Sequence, residues 1–436
     1  MKIVPGLGEI PSTWSVERAR WLLIRQRRAV RPQDGIVTAF RDGQVTLREN
    51  RRLEGFTNAL QEIGYQGIRR GDLVVHGMDG FAGAIGVSDS DGKASPVVHA
   101  YRASTQMDAR YLAHVLRTMA VNGYVATLAK GIRERSTAFD SATLANVLLP
   151  VPSFLEQRRI ADFLDAETKR IDQLTELRTK TLELLTERIT SHMDIAVRGV
   201  SVPGPKQISE YPPLGEVPLR WRQGRLRSID CDVQTGPFGS QLHAEDYVEG
   251  AWPVINPANI TPAGLVADDQ VTVPDEVRAR LERHVLRAGD VVFGRRGELG
   301  RAGIVEEAQA GWVCGTGSLR VRFTKGSFHP DYLRRYLAIP AVRHYFRLQA
   351  IGSTMPNLNS SILLNMPLLL PSFSEQVEIA KRCTEIESRA TRHRLLLERQ
   401  VQLLIERRQA LITAAVTGQF DVSTASGRNV TEGVTV

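Results

Sequence analysis

Cysteine is scarce in this chain, and its scarcity excludes two kinds of small domain. The 436 residues contain three cysteines, Cys231, Cys314 and Cys383. They lie far apart and form no metal-type pair, so the sequence predicts neither a disulfide framework nor a zinc site. No apolar run has the length of a membrane span, and residues 1–6 lack the apolar core of a signal peptide. We therefore expect a cytoplasmic protein with reduced cysteines and no membrane partner.

Catalytic motifs are also missing from the sequence. There is no Gly-x-x-x-x-Gly-Lys-Ser/Thr phosphate loop, and the nine histidines show no metal-ligand spacing. Residues 256–259, Asn-Pro-Ala-Asn, resemble the Asn-Pro-Pro-aromatic motif of adenine methyltransferases but lack the aromatic residue that stacks on a flipped base. We interpret them as a turn. The sequence thus predicts a protein that is not an enzyme and has no cofactor and no metal.

Positive charge exceeds negative charge, and the excess lies outside residues 151–200. The net charge is +8, with 20 basic against 14 acidic residues in 1–150 and 19 against 17 in 201–370. Residues 151–200 have 8 basic and 9 acidic residues. A basic balance suits a polyanionic partner such as nucleic acid. Arginines on an ordinary solvated surface would give the same counts, so charge alone does not decide between the two.

One long segment occurs twice in the chain. Residues 152–157, Pro-Ser-Phe-Leu-Glu-Gln, recur as residues 371–376, Pro-Ser-Phe-Ser-Glu-Gln, and the offset of 219 then holds without a gap to Gly199 and Gly418. The beginnings of the two halves match more loosely, in Trp14 and Trp221 and in the Gly-Asp pairs at 71–72 and 289–290. Two copies of one module predict an internal pseudo-twofold axis.

The repeated segment is predicted to be a long helix. Ser153 and Glu156, like Ser372 and Glu375, have capping-box spacing, and no proline or glycine follows until Gly199 or Gly418. Apolar residues recur at a three–four spacing in both copies, from Ile160 to Ala196 and from Ile379 to Ala415. One narrow apolar stripe on a charged helix predicts a single helical partner.

The two helices are each other's obvious partner. If they pair, the second helix must run antiparallel to the first, because it starts at the end of the pair where the first helix ended. We therefore expect an α+β protein in which two pseudo-symmetric globular domains are separated by a coiled-coil spacer of two long antiparallel helices. Two independent helical hairpins, one in each half, are the alternative.

The expected divisions are 1–152 for the first domain, 153–199 for the central helix, 200–214 for a linker, 215–371 for the second domain, 372–418 for the C-terminal helix and 419–436 for a flexible tail.

The order of these features resembles the specificity (S) subunits of type I restriction–modification systems. Each half has a Gly-Asp strand, a Tyr-Leu helix, and Pro-Ser-Phe-x-Glu-Gln before a long helix. Residues 236–240, Gly-Pro-Phe-Gly-Ser, and residues 352–358 also resemble target-recognition domains of this family. The first half lacks the Pro-Phe-Gly-Ser loop, and residues 131–135 replace the threonine-containing turn.

The resemblance implies a non-catalytic subunit that binds double-stranded DNA. Each globular domain would recognise one half of a split site, and the helices would set the gap between the halves. Two methyltransferase (M) subunits would dock on the helices, and up to two restriction and translocase (R) subunits would join them. Two alternatives are the specificity subunit of a two-component restriction enzyme, whose partner fuses methyltransferase and nuclease, and a coiled-coil scaffold that binds no DNA.

Candidate DNA contacts follow from side-chain chemistry. Arginine binds guanine bidentately, and glutamine or asparagine binds adenine in the same way. We expect DNA contacts from ten residues. For His76 and His243 a DNA contact is a further option, and an ordinary surface role fits them at least as well. The ten candidates are Arg69, Arg70, Arg133, Arg135, Ser240, Gln241, Arg295, Arg296, Thr354 and Asn357.

Overall fold

The computed structural model divides into two compact units. Unit 1 comprises residues 1–179 and 399–436, and unit 2 comprises residues 180–398. The structure describes residues 1–51, 62–128, 139–261, 264–297, 300–350 (the side chain of Ala350 excepted) and 358–422. The turn expected at 131–135 and most of the expected tail, residues 423–436, lie outside the described residues.

Unit 1 is a mixed α and β unit built from short strands. Its strands are β1 Lys2–Val4, β2 Gly8–Ile10, β3 Ser15–Arg18, β4 Leu23–Gln26, β5 Val37–Ala39, β6 Val45–Leu47, β7 Gln66–Ile68, β8 Leu73–His76, β9 Ile85–Val87, β10 Gly92–Ala94, β11 Val98–Ala103 and β12 Leu148–Val151. Its helices are α1 Ala19–Leu22, α2 Ala109–Val121, α3 Tyr124–Leu128, α4 Ser141–Ala145 and the first part of α5 Phe154–Val197.

Unit 2 has the same kind of composition. Its strands are β13 Lys206–Ile208, β14 Glu216–Pro218, β15 Arg222–Arg225, β16 Cys231–Thr235, β17 Trp252–Ile255, β18 Ile260–Thr261, β19 Gly264–Leu265, β20 Thr272–Val273, β21 Val291–Gly294, β22 Ala302–Ile304, β23 Val313–Cys314, β24 Ser318–Phe323 and β25 Pro367–Leu370. Its helices are α6 Asp275–Arg280, α7 Pro330–Ala338, α8 Pro340–Ala350, α9 Ser360–Leu364 and the first part of α10 Phe373–Val416.

Each unit contains an antiparallel four-stranded sheet of the same design. The strand order is β4-β11-β8-β9 in unit 1 and β16-β24-β21-β22 in unit 2. The Gly-Asp strands β8 and β21 are central, and Leu73, Val74 and Val75 of β8 are fully buried because both faces of the strand are covered. In unit 1 the helix α2 packs on this sheet through an apolar face that includes Tyr111, with spacing typical of an amphipathic helix.

The N-termini of both long helices are capped as the sequence predicts. The backbone N–H of Glu156 donates to the Ser153 hydroxyl (3.3 Å), and that of Glu375 donates to the Ser372 hydroxyl (3.4 Å). In the second copy the capping box is reciprocal, since the Ser372 N–H donates to a Glu375 carboxylate oxygen (3.0 Å).

Both long helices end in a Schellman motif. Gly199 and Gly418 have φ of +68° and +69°, in the left-handed region that favours glycine. The N–H of Val200 donates to the carbonyl of Ile195 (3.0 Å), and the N–H of Gln419 donates to the carbonyl of Ala414 (3.0 Å). The predicted C-caps are therefore confirmed. Helical propensity and caps thus fix both ends of a 44-residue helix in each half.

The long helices pack antiparallel inside each unit. In unit 1 the beginning of α5, with Leu164 and Ile171, shares a core with Leu411 and Ala415 near the end of α10. In unit 2 the end of α5, with Ala196 and Val197, shares a core with Ile379 and Cys383 near the beginning of α10. Each unit therefore contains the start of one long helix and the end of the other.

A tryptophan joins these helix ends in both units. Trp14 donates its indole N–H to Glu156 (3.2 Å), and a Cβ at Gly418 would come within 2.9 Å of the same ring. Trp221 donates to Glu375 (3.1 Å), and a Cβ at Gly199 would come within 2.4 Å of that ring. The tryptophan therefore recurs at the beginning of each half for a structural reason, because it contacts the start of one long helix and the end of the other.

The glutamine of the repeated motif ties the globular part to the long helix. The N–H of Asp108 donates to the side-chain carbonyl of Gln157 (2.9 Å), and the N–H of His329 donates to that of Gln376 (2.8 Å). Both glutamines are buried. In each unit the motif therefore also holds the N-terminal end of the helix that covers the sheet.

The middle of the predicted stripe is only partly buried. Leu182, Leu185 and Ile189 on α5 are half-buried, whereas Leu174 is 39% exposed. Each long helix pairs with one other long helix here, so its stripe residues keep some exposed area. Two helices cover less of each other's surface than the helices of a bundle do. Within the described residues, none of the helices combines the length and the hydrophobicity that crossing a membrane requires.

Candidate nucleic-acid interface

Three turns of unit 2 meet at one edge of its four-stranded sheet. The strands β16 and β21 end there, at Thr235 and Gly294, and β24 begins there at Ser318. The N–H of Gly236 donates to the carbonyl of Ser318 (2.9 Å), and the N–H of Arg295 donates to that of Gly317 (2.9 Å). We name residues 236–241, 294–297 and 315–317 the turn edge of unit 2.

Glycine is required where these turns cross. A Cβ on Gly236 would lie 1.8 Å from the carbonyl oxygen of Gly315, and a Cβ on Gly315 would lie 2.3 Å from the Asn256 side chain. These approaches exclude any larger residue. The predicted turn at residues 256–259 is confirmed as a short 3₁₀ turn that packs against this edge.

The family-like loop of unit 2 is closed by its own glutamine. The N–H of Phe238 donates to the side chain of Gln241 (3.1 Å), and the N–H of Gln241 donates to the carbonyl of Phe238 (2.8 Å). Phe238 is 64% exposed, and Ser240 and Gln241 are exposed too. The loop therefore projects a phenyl ring and a hydroxyl group, while one acceptor of Gln241 is used inside the loop.

The two neighbouring arginines of this edge differ in their surroundings. Arg295 is half-buried and donates its Nε to the carbonyl of Leu358 (3.2 Å), whose N–H donates back to the Arg295 carbonyl (2.8 Å). Arg296 is exposed. Arg295 therefore holds the beginning of the segment after residue 357, whereas Arg296 is open to a ligand. Thr354 and Asn357 lie outside the described residues.

Unit 1 has an equivalent edge. Its central strand β8 ends at His76, the N–H of Gly77 donates to the carbonyl of Val97 (2.7 Å), and the N–H of Phe139 donates to that of Gly77 (2.7 Å). Phe139 thus occupies the place that Leu358 has in unit 2. Arg133 and Arg135, which precede Phe139 in the chain, lie outside the described residues.

Arg69 and Arg70 lie at the other end of this strand. They precede β8, whereas Arg295 and Arg296 follow the equivalent strand β21. The guanidinium of Arg69 pairs with the buried Asp34 (3.2 Å), and it donates to the Gly92 carbonyl (3.1 Å). Arg70 is exposed. The structure therefore does not bring these two arginines to the edge equivalent to that of Arg296, and the ion pair gives Arg69 a structural role.

Sequence reasoning missed a basic cluster beside the edge of unit 1. Burial lowers the pKa of His99, and the positive charges of Arg25 and Arg27 lower it further. Burial also lowers the pKa of His76, and the imidazole Nδ1 of His76 accepts from the Asp79 N–H (3.0 Å). Arg25 and Arg27 are exposed. The sequence does contain a signal, a run of arginines after Arg18, but a charge count over residues 1–150 as a whole does not reveal such a local cluster.

A polar cavity adjoins His76. Its volume is about 580 Å³, and its lining includes Arg41, Arg48 and Arg51. Arg41 pairs with Asp79 (2.7 Å) and Arg51 with Asp42 (2.6 Å), so carboxylates offset part of this positive charge. Across the described residues, no group of histidine, cysteine, aspartate or glutamate side chains is arranged to hold a metal ion.

Comparison with known proteins defines the class of fold. No protein-family profile matches the chain. Two sheets of one design, each joined to the ends of two long antiparallel helices, give a duplicated module that solved structures share. The chain has the fold of the S subunits of type I restriction–modification systems, so the resemblance seen in the sequence is confirmed at the level of the fold.

Two solved structures illustrate the match. One is a chain from a structure that addresses complex assembly and conformational transition of the type I R-M system. It has a TM-score of 0.69 and 19% sequence identity, over 94% of this chain and 100% of that one. The other is the HsdS subunit from Thermoanaerobacter tengcongensis, with a TM-score of 0.54 and 19% identity, over 94% of this chain and 98% of that one.

Proposed function

We propose that this chain is the sequence-specific DNA-binding subunit of a type I restriction–modification complex, and that it is not itself an enzyme. The observation that carries the proposal is the duplicated turn edge. In each unit the turn after a central Gly-Asp strand accepts a backbone hydrogen bond from the residue two positions before α9 or α4, which is Leu358 or Phe139. Two such edges suit a bipartite DNA site, with one half recognised by each unit.

The side chains at these edges suit base recognition. Arg296 is exposed in unit 2 beside the loop of Ser240 and Gln241, and an exposed guanidinium can bind guanine bidentately. We propose Arg133, Arg135, Thr354 and Asn357 as further base or phosphate contacts. Arg70 remains a candidate for a phosphate contact, since it lies away from the turn edge.

We further propose that two copies of one partner, the M subunit, dock on the long helices. Three exposed apolar positions occur in both repeats. They are Phe154, Leu177 and Leu403 in unit 1, and Phe373, Leu396 and Leu184 in unit 2. A set of exposed apolar positions that recurs once in each unit suits one partner copy for each unit. Up to two R subunits would complete a restriction complex, and DNA cleavage and methylation would reside in the partners.

Selection from a pool of random DNA duplexes tests the proposal. The purified full chain is expected to enrich two short specified blocks separated by unspecified base pairs. A parallel methyl-transfer assay with the chain alone is expected to give no product. Recovery of random sequence would overturn the DNA-binding proposal and favour a protein scaffold. Methyl transfer by the isolated chain would contradict the non-catalytic role.

A further inference from the structure

One segment of unit 1 is unusually basic. Residues 18–31, Arg-Ala-Arg-Trp-Leu-Leu-Ile-Arg-Gln-Arg-Arg-Ala-Val-Arg, contain six arginines and no acidic residue. They comprise the end of β3, the short helix α1, the strand β4, which is an edge strand of its sheet, and residues 27–31, which follow β4. We name this segment the basic strip.

The basic strip exposes large apolar side chains between its charges. Trp21 is 69% exposed and Ile24 is 57% exposed. Of the five tryptophans in the chain, Trp21 alone is exposed. The guanidinium carbon of Arg20 lies 5.3 Å from the centre of its ring, a cation–π distance. Two large exposed apolar side chains set among arginines suit a ligand or partner surface better than one isolated apolar residue would.

Most of the arginines of the strip are not neutralised. Arg28 forms an ion pair with Asp72, and Arg31 forms one with Asp91 (3.4 Å). The other four contact no carboxylate in the part of the chain that the structure describes. Of these, Arg18 donates to the amide of Asn146 (3.1 Å) and Arg25 to the hydroxyl of Ser141 (2.7 Å), whereas Arg20 and Arg27 are exposed.

Unit 2 has no such strip. The equivalent residues 225–238 contain two arginines and two aspartates. By strand register, Asp232 stands where unit 1 has Ile24, and Asp232 pairs with Arg320 (2.7 Å). Charge on an edge strand prevents strand-to-strand association, and either sign serves that purpose. Edge protection therefore explains neither the uniform positive sign of the strip nor its exposed indole.

We propose that the beginning of the basic strip, Arg20 and Trp21, binds duplex DNA outside the half-site that unit 1 recognises, and that it does so independently of sequence. Arg20 would neutralise a phosphate, and Trp21 would make apolar contact with sugars and a base step. Charge complementarity with a polyanion selects DNA as the occupant. Arg20 and Trp21 lie in α1, before β4, whereas the turn edge lies at the end of β4, so these contacts fall beyond the base-recognising turns. The inference rests on the proposed DNA-binding function and makes unit 1 the stronger backbone binder.

Salt-dependent binding of the full chain tests this. Fluorescence anisotropy is measured with a duplex that carries the selected motif and with a scrambled duplex, for wild type and variants. Arg20→Gln is expected to weaken binding of both duplexes by the same factor. It is also expected to reduce the slope of log K against log salt by about 1, because each lost phosphate contact removes about 0.9. Arg227→Gln, the exposed arginine at the equivalent position of unit 2, is the matched control and is expected to leave the slope unchanged.

Trp21 is tested separately. Trp21→Ala is expected to weaken both duplexes about tenfold, and Trp21→Phe to restore most of that loss, since an aromatic contact does not depend on sequence. Because the Trp21 side chain is exposed, thermal unfolding of both Trp21 variants should match that of the wild type. If all strip variants kept wild-type affinity while the wild type still preferred its motif, DNA binding by the strip would be contradicted but the proposed function would stand. A strip variant with normal DNA affinity that lost a co-purifying protein would also contradict DNA binding by the strip, because the strip would then bind a protein. A wild type without motif preference would instead overturn the proposed function.

Discussion

At the scale of single residues, Glu375 shows how one carboxylate can hold a junction together. One of its oxygens accepts from Arg220 (2.6 Å) and from the Trp221 indole (3.1 Å), and the other accepts from the Ser372 hydroxyl (2.8 Å). Burial alone would raise the pKa of Glu375, but the hydrogen bonds outweigh burial and bring it from its ordinary 4.5 to about 2. The equivalent Glu156 binds Trp14 but has no arginine, because Thr13 stands where unit 2 has Arg220.

Replacing Glu375 is expected to destabilise unit 2 in a pH-dependent way. Glu375→Gln should lower the free energy of unfolding at pH 7 by about 1.5–3 kcal/mol, the range for hydrogen bonds to a charged group. A lowered pKa stabilises the fold above the ordinary pKa and loses its contribution as pH falls through the folded value. The gap between wild type and variant should therefore close between pH 4.5 and pH 2. Urea unfolding followed by tryptophan fluorescence measures it.

Glu156→Gln is the matched control for that substitution. It removes a carboxylate at the same repeat position without an arginine partner, so a smaller loss is expected. An equal loss in both variants would show that the Arg220 ion pair adds nothing to the junction.

At the scale of elements, local rules predicted the long helices well and the turn edges poorly. Serine caps, terminal glycines and an apolar stripe are short-range signals. The structure contains the caps and the terminal glycines, and it buries the stripe at the ends of the helices. The position of an arginine relative to an edge depends on which end of a strand it follows, and on long-range pairing. Arg69 and Arg296 both flank a Gly-Asp strand, yet they lie at opposite ends of equivalent strands. The pairing of Arg69 with Asp34, 35 residues away, left no local signal.

The helix C-caps are expected to tolerate no side chain. Gly199→Ala places a methyl group against the Trp221 ring and forces a residue with a Cβ into the left-handed region. Gly418→Ala does the same against Pro11 and Trp14. Each substitution should cost more than about 1 kcal/mol of stability. Gly239→Ala, which meets nothing within 4 Å, is the control. Equal melting temperatures for all three variants would contradict the assigned role of the caps.

The exposed positions on the helices give a prediction about stoichiometry. Phe154→Ser with Leu177→Ser should remove one of two M subunits, because it removes exposed apolar side chains of unit 1 alone. Phe373→Ser with Leu396→Ser should remove the other copy. Native mass spectrometry of the reconstituted complex counts the copies. Two copies retained by both double variants would mean that M subunits dock elsewhere.

At the scale of the whole molecule, duplication organises the chain. Each unit takes one helix start and one helix end, so a loosely matching segment near Trp14 is needed to close unit 1 just as Trp221 closes unit 2. The sequence could reveal the duplication because its helical part repeats without a gap. It could not reveal which surface differs between the copies, since the basic strip lies in the part of the module that hardly repeats. Differences of this kind are expected where each domain has its own target.

The most direct test asks whether each unit specifies its own half of the DNA site. Duplex selection is repeated with Arg296→Ala and, separately, with Arg133→Ala combined with Arg135→Ala. A lost bidentate contact costs about 1–3 kcal/mol at one base pair. Arg296→Ala should therefore relax one block of the selected motif and leave the other intact, and the double variant should do the reverse. If either variant relaxed both blocks, or both variants relaxed the same block, two independent DNA-recognising units would be contradicted.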